Sequence, residues 1–231
     1  MRLLLYLALL TSMLVAQEDV LRVPRAARDE APTANPESEL WKAVPAVRIA
    51  TGRFGEAIEG SWTEVKARWT PRYLSVLWVN HYEELTMKLG PTAAKETWSL
   101  WDFDVAEIFI GGDAQYPRRY KEFQISPAGE WVDLDVDRDR KGLEVDWRWD
   151  SGFRFKSVMQ PERKVWIGEM QIPWKAIDSR PAVAGREYRG NIYRIEGKDP
   201  KRKFLAWRPV MSPSYHTPEK FGKIRLEPAA R

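Results

Sequence analysis

Along much of the chain, apolar and polar positions alternate with a period of two, the period of a β-strand. Thr63–Trp69 (TEVKARW) sets Val65, Ala67 and Trp69 on one face. Tyr73–Val79 (YLSVLWV) follows after the turn-like Thr70-Pro71-Arg72, and the pair predicts a hairpin. Val105–Ile110 (VAEIFI) puts Val105, Glu107 and Phe109 on one face and Ala106, Ile108 and Ile110 on the other. Both faces are largely apolar, so an inner strand is predicted. Glu107 is then a carboxylate where a dry core is expected. Tyr120–Ser126 and Trp131–Val136 flank Pro127-Ala128-Gly129-Glu130, a second hairpin signal. Val145–Trp149, Phe153–Met159, Trp166–Ile172, Arg189–Glu196 and Gly222–Leu226 are further strand candidates. Helical signals are short, around Thr92–Thr97 and Trp174–Ile177. Many short strands separated by turns predict an all-β fold, an antiparallel, jelly-roll-like β-sandwich with short helical pieces.

The N-terminus breaks this pattern. Arg2 precedes LLLYLALLTSMLVA, an apolar run with the length of a signal-peptide core and short for a membrane span. Residues 1–16 therefore read as a signal peptide cleaved after Ala16, with an uncleaved anchor as the alternative. Leu14 is larger than the small residue usual three positions before such a site. Residues 17–39 carry mixed charge with Pro24, Pro32 and Pro36, and read as a leader or linker. The folded domain is expected over residues 40–231, with no stable membrane anchor once the signal is removed.

Composition narrows the function classes. The 231 residues suffice for one domain, and 44% hydrophobic with 30% charged residues fits a folded chain. The formal net charge of +4 is spread among interleaved acids, with no run of Lys and Arg. Nucleic acid is not an expected partner. Removal of residues 1–16 would take one Arg and leave +3. There is no Cys, which excludes disulfides, thiolate metal sites and a cysteine nucleophile. A secreted or periplasmic bacterial protein suits an exported chain without disulfides. Of the 12 Trp, most should be core, while one or two could stack on a ligand.

Few motifs carry chemistry. Asp133, Asp135, Asp137 and Asp139 alternate, and Glu144 falls at the twelfth position of a calcium loop counted from Asp133. Arg138 stands where that loop needs Gly, so an ordinary strand running into a polar loop is the simpler explanation. A structural calcium on one or two of these Asp residues stays open, and no cofactor is required. His81 and His216 lie far apart without a supporting motif, which speaks against a catalytic triad or zinc site. Glu107 and Glu169 both sit in apolar strands. Such a pair could serve a glycoside hydrolase, or each could be buried against a donor.

The ordered set of segments is more specific than any one of them. Trp41, VKARWTPRYLSVLWV, WDFDVAEIFI, YKEFQISPAGEWVDLD, WIGEMQIPW, GNIYRIEG and SYHTPEKFGKIRL occur in that order over roughly residues 40–228. Above all, Asp104 to Ile110 (D-x-x-E-I-F-I), Glu169 to Trp174 (E-M-x-I-P-W) and the closing K-F-G resemble family 9 carbohydrate-binding modules and family 9-like domains. The resemblance implies a β-sandwich that holds a sugar between two aromatic side chains. Trp101, six residues before Glu107, and Tyr215, six before Phe221, match those aromatics. Glu107 inherits the role of hydrogen-bonding sugar hydroxyls, which a carboxylate can accept in pairs.

Other positions depart from the pattern. Gln124 and Ser126 stand where well-known binders of the family place Arg and Asn, Ser212 replaces an Asn, and Tyr215 replaces a Trp. Gln124 and Ser126 are expected to hydrogen-bond the ligand, with Asn191 and Arg194 of GNIYRIEG as further lining residues. The implied function is non-catalytic binding of an oligo- or polysaccharide, alone or beside a partner glycosidase. Two alternatives remain at this point. Related β-sandwich domains hold haem b for electron transfer, for which Met87, His81, Met159 or Met170 would supply axial ligands. The other is a glycoside hydrolase using Glu107 and Glu169.

Overall fold

The computed structural model describes residues 19–88, 95–112, 114–140, 142 and 147–229. The signal segment and Glu144 lie outside them, as do residues 92–94 of the helix expected at 92–97 and 145–146 of the strand expected at 145–149. Of the described remainders, 95–97 form no helix and 147–149 no continuous strand. Among the described residues, twelve strands form two sheets. In chain order they are β1 (Val20–Val23), β2 (Val47–Ile49), β3 (Trp62–Trp69), β4 (Tyr73–His81), β5 (Val105–Gly111) and β6 (Arg119–Ile125). There follow β7 (Trp131–Asp137), β8 (Arg154–Gln160), β9 (Val165–Pro173), β10 (Glu187–Glu196), β11 (Lys203–Ala206) and β12 (Gly222–Leu226). Among the described residues, one four-residue α-helix, α1, spans Trp174–Ile177.

The seven-stranded sheet runs β1-β12-β10-β5-β6-β7, with β11 also paired to β10. The five-stranded sheet runs β2-β3-β4-β9-β8. All strand pairings are antiparallel except β1 with β12. The main core lies between the sheets. Ala106, Ile108, Ile110, Phe123, Ile125 and Ile192 meet Val76, Trp78, Trp166 and Met170 there, all buried. Both expected hairpins form. Thr70 closes β3–β4, its Oγ1 accepting from Tyr73 N at 3.1 Å. Gly129, at φ 83, turns β6 into β7, a left-handed conformation that glycine adopts without a Cβ clash.

The segment expected as a linker is part of the domain. Val20–Val23 pairs in parallel with Lys223–Leu226. Ala26 N then donates to Trp69 O at 2.7 Å. Beyond that the chain crosses the outer face of the five-stranded sheet, where Ala34, Leu40, Trp41 and Val44 pack against Leu77, Val165 and Ile167. Glu169 anchors the crossing. Its Oε2 accepts Thr33 N at 2.9 Å and Ala34 N at 2.8 Å, and its Oε1 accepts the Trp41 indole at 3.1 Å. These donors offset the cost of burying the carboxylate. Glu169 is therefore a structural acid, the second of the two roles open to it.

Candidate functional site

The strand alternation that separates Glu107 from the core also builds a cavity. Register pairs Glu107 of β5 with Gln124 of β6 and with Tyr193 of β10. These side chains share the outer face of the seven-stranded sheet, away from Ala106 and Ile108. A second apolar cluster covers that face, including Val105, Phe109, Tyr120, Leu134, Tyr193 and Tyr215. Glu107 is thus buried without lying between the sheets.

Within this cluster lies a cavity of about 240 Å³. It is smaller than the roughly 300–1,000 Å³ typical of drug-sized ligands. Its floor is Glu107 and Phe109 of β5, Glu122 and Gln124 of β6, Leu134 of β7 and Ile195 of β10. Trp101 and Asp102, from the turn before β5, form one wall. Tyr215 and His216 form another, and Arg53, Arg202 and Phe204 complete the rim.

The aromatic walls are held from behind. Trp101 is partly buried, packs edge-on against Trp98 at 5.0 Å, and its carbonyl accepts from Arg202. Tyr215 stacks on Tyr193 at 3.9 Å, and its hydroxyl donates to Leu205 O at 3.0 Å. Tyr215 is 8% exposed with one face given to Tyr193, so most of the available stacking surface belongs to Trp101.

Electrostatics distinguish the floor from the rim. Glu107 is 1% exposed and its Oε1 meets no hydrogen-bond donor among the described residues. Burial first, and then the Glu122 carboxylate, push its pKa well above the ordinary carboxylate range, against an opposing pull from Arg202. Gln124 donates through Nε2 to Glu122. His216 Nδ1 lies 2.7 Å from the Tyr120 hydroxyl, and burial pushes that phenol's pKa up. The phenol stays protonated, the direction of this bond follows the imidazole tautomer, and His216 Nε2 faces Glu122 Oε2 at 3.8 Å. Burial, helped by Arg138, lowers the His216 pKa to about 4.

This neutral His216 has a pH consequence. Unfolding restores its pKa toward 6.5, so the unfolded chain gains the proton first as pH falls. His216 should withdraw stability progressively between pH 6.5 and 4. A His216→Phe variant should show a shallower loss over that window in urea titrations, and NMR should place the imidazole titration near 4 in the wild type. A ring titrating above 6 would contradict this.

The expected site residues divide. Trp101, Glu107, Gln124 and Tyr215 line one cavity. Ser126, Asn191 and Arg194 do not. Ser126 Oγ accepts Glu130 N at 3.1 Å and donates to Glu130 Oε2 at 3.2 Å, clamping the β6–β7 turn. Asn191 shares the outer face, but its amide bonds Tyr193 Oη, Arg208 O and Arg208 N. Arg194 points the opposite way, between the sheets. It donates to His81 O at 2.6 Å and Trp62 O at 3.2 Å, and it pairs with Glu196 at 2.8 Å.

Both alternatives lose their geometry. Glu169 lies on the outer face of the five-stranded sheet with its oxygens engaged, so Glu107 and Glu169 share no site. Of the axial candidates, none lines the cavity. Met170 is fully buried in the core, and His81 stacks on Trp62 at 4.2 Å. Among the described residues, no group of three His, Asp or Glu could hold a metal ion. Asp135, Asp137 and Asp139 pair with Lys121, Arg119 and Arg118.

Glu122 is the floor residue that sequence reasoning missed. It lies two positions before Gln124, so the period of two already placed both on one face. Arg53, Arg202 and His216 come from separate loops and carry no local signal.

The family model for the carbohydrate family 9 binding domain-like group matches residues 37–229. A protein from Bacteroides uniformis ATCC 8492 proposed to bind carbohydrate has a similar structure, with TM-score 0.70 and 17% identity over 90% of this chain and 99% of that one. A family 9 carbohydrate-binding module from Caldicellulosiruptor kristjanssonii, solved with glucose, gives TM-score 0.65 and 14% identity over 91% of this chain and 97% of that one. Its cellotriose complex gives TM-score 0.64, also at 14% identity, over 91% and 95%. At these identities the structural likeness concerns the fold. Comparison with curated proteins gave no match. The family match covers most of the chain, and the chain therefore belongs to the carbohydrate family 9 binding domain-like family.

Proposed function

We propose that the chain is an exported, non-catalytic carbohydrate-binding domain that takes a sugar ring into the outer-face cavity. The observation that carries this reading is the convergence of Trp101, Tyr215, Glu107 and Gln124 on one cavity of about 240 Å³. Trp101 supplies an apolar plate for the C–H face of a ring, and the floor supplies acceptors for its hydroxyls. The Caldicellulosiruptor kristjanssonii module was solved with glucose and cellotriose, which supports a hexose or short oligosaccharide as ligand. The apolar run in residues 1–16 supports export, and a sugar-binding domain outside the cell suits work beside a partner glycosidase.

Calorimetric titration of the protein with a panel of mono- and oligosaccharides tests the reading. A saturable signal is expected in the wild type. In a folded Trp101→Ala variant the affinity should fall by roughly 10–100-fold, the equivalent of about 1.5–3 kcal/mol of lost aromatic contact. Equal affinity in the two proteins would remove Trp101 from the site. No binding across the panel would overturn the function.

A further inference from the structure

The cavity floor shows a chemical preference that a neutral sugar does not satisfy. Glu107 and Gln124 stand directly opposite each other on adjacent strands, and each is 1% exposed. Glu107 Oε1 and Gln124 Oε1 are both acceptors without a donor among the described residues. The orientation of the Gln124 amide is fixed by its Nε2 contact with Glu122. Turned over, it would set oxygen against carboxylate. Two buried, unpartnered acceptors therefore belong to residues that line one cavity.

The charges around that space leave Glu107 without an ion pair. Glu107, Glu122 and Asp102 line the cavity as acids, Arg53 and Arg202 as bases, and His216 is neutral. The arginines are turned to the walls. Arg53 donates to Pro213 O at 2.6 Å and lies 4.0 Å over the Phe204 ring, while Arg202 donates to Trp101 O. Neither forms an ion pair with Glu107 among the described residues. A carboxylate buried beside a second one is costly unless it takes up a proton or a cation replaces that proton.

A hydroxyl offers one hydrogen to such a pair of acceptors. A protonated amine offers three, together with a full charge. Aromatic side chains at Trp101, Phe109 and Tyr215 favour a cation as well. Resting on the reading that this cavity binds carbohydrate, we propose that its ligand is an amino sugar, such as a glucosamine unit. The ammonium would lodge between Glu107 Oε1 and Gln124 Oε1. The raised proton affinity of Glu107 adds a signature. Before binding the carboxyl holds a proton, and the arriving ammonium would expel it to solvent.

Calorimetry at pH 6 with D-glucosamine, D-glucose and N-acetyl-D-glucosamine, in two buffers of different ionisation enthalpy, tests this. Glucosamine should bind at least about tenfold tighter than the other two, as expected for a charge-assisted hydrogen bond, and should release up to one proton. In Glu107→Gln, an isosteric change, both the preference and the proton release should disappear. A preference that survives Glu107→Gln would overturn the assignment of the amine to this acid. Glucose binding as tightly as glucosamine would overturn the amino-sugar inference and leave the carbohydrate reading standing. No binding by any of the three, nor by the wider panel, would overturn both.

Discussion

Replacing Arg194 with Met should cost about 3–5 kcal/mol of stability, because it strands buried acids without their cation. Arg194 is fully buried and links the two sheets, from β10 to the carbonyls of Trp62 in β3 and His81 in β4. Its partner Glu196 is 2% exposed and also accepts from Ser61 Oγ and Glu83 N. Asp104 lies within reach of the same charge. Burial raises its pKa to about 7, against the hydrogen bonds from Thr86 N and Gly197 N and the pull of Arg194. Without Arg194, Asp104 would hold its proton still more tightly in the folded chain than in the unfolded one. Stability then falls as pH rises, so the loss should be larger at pH 8 than at pH 5. Urea midpoints at the two pH values, with unchanged m, measure this. Arg194→Met combined with Glu196→Gln should recover part of the loss. A change under about 1 kcal/mol for Arg194→Met would mean the linkage is not holding the sheets.

The second large effect is expected at Trp41→Ala, again about 3–5 kcal/mol. Trp41 is fully buried against the outer face of the five-stranded sheet and donates its indole hydrogen to Glu169. The substitution leaves a cavity and removes one of the three donors that hold a buried carboxylate. Trp41→Phe keeps much of the packing but loses the donor, and should cost about 1–3 kcal/mol. If residues 24–44 were a tether loosely laid on the domain, both variants would melt with the wild type.

The sheet architecture was legible where turn chemistry stood between alternating runs. Thr70-Pro71-Arg72 and Pro127–Glu130 marked their hairpins, and the alternation of VAEIFI separated the faces that carry Glu107 and Ile108. The strand β1 was not legible. It is four residues long, ends beside Pro24, and pairs with Lys223–Leu226 at the far end of the chain. No local pattern announces such a pairing. Residues 24–44 were hidden by charge and proline, although Leu40, Trp41 and Val44 supply much of an apolar cover.

The candidate site was legible in part for a similar reason. Trp101, Glu107, Gln124 and Tyr215 came from the family resemblance and meet at one cavity. Asn191 and Arg194 are three apart on one strand, so they cannot share a face. Ser126 has the parity of Gln124 but sits at the turn, where Glu130 occupies it. Glu107 and Glu169 both sit in strands with apolar faces, yet on different sheets. Which sheet an acid faces away from is a tertiary fact.

A crystal structure of the protein with the tightest sugar from the titration panel tests the central claim most directly. The sugar ring is predicted on the outer face of the seven-stranded sheet, over Glu107 and Gln124 and against Trp101. A sugar bound on any other surface, with this cavity empty, would contradict it.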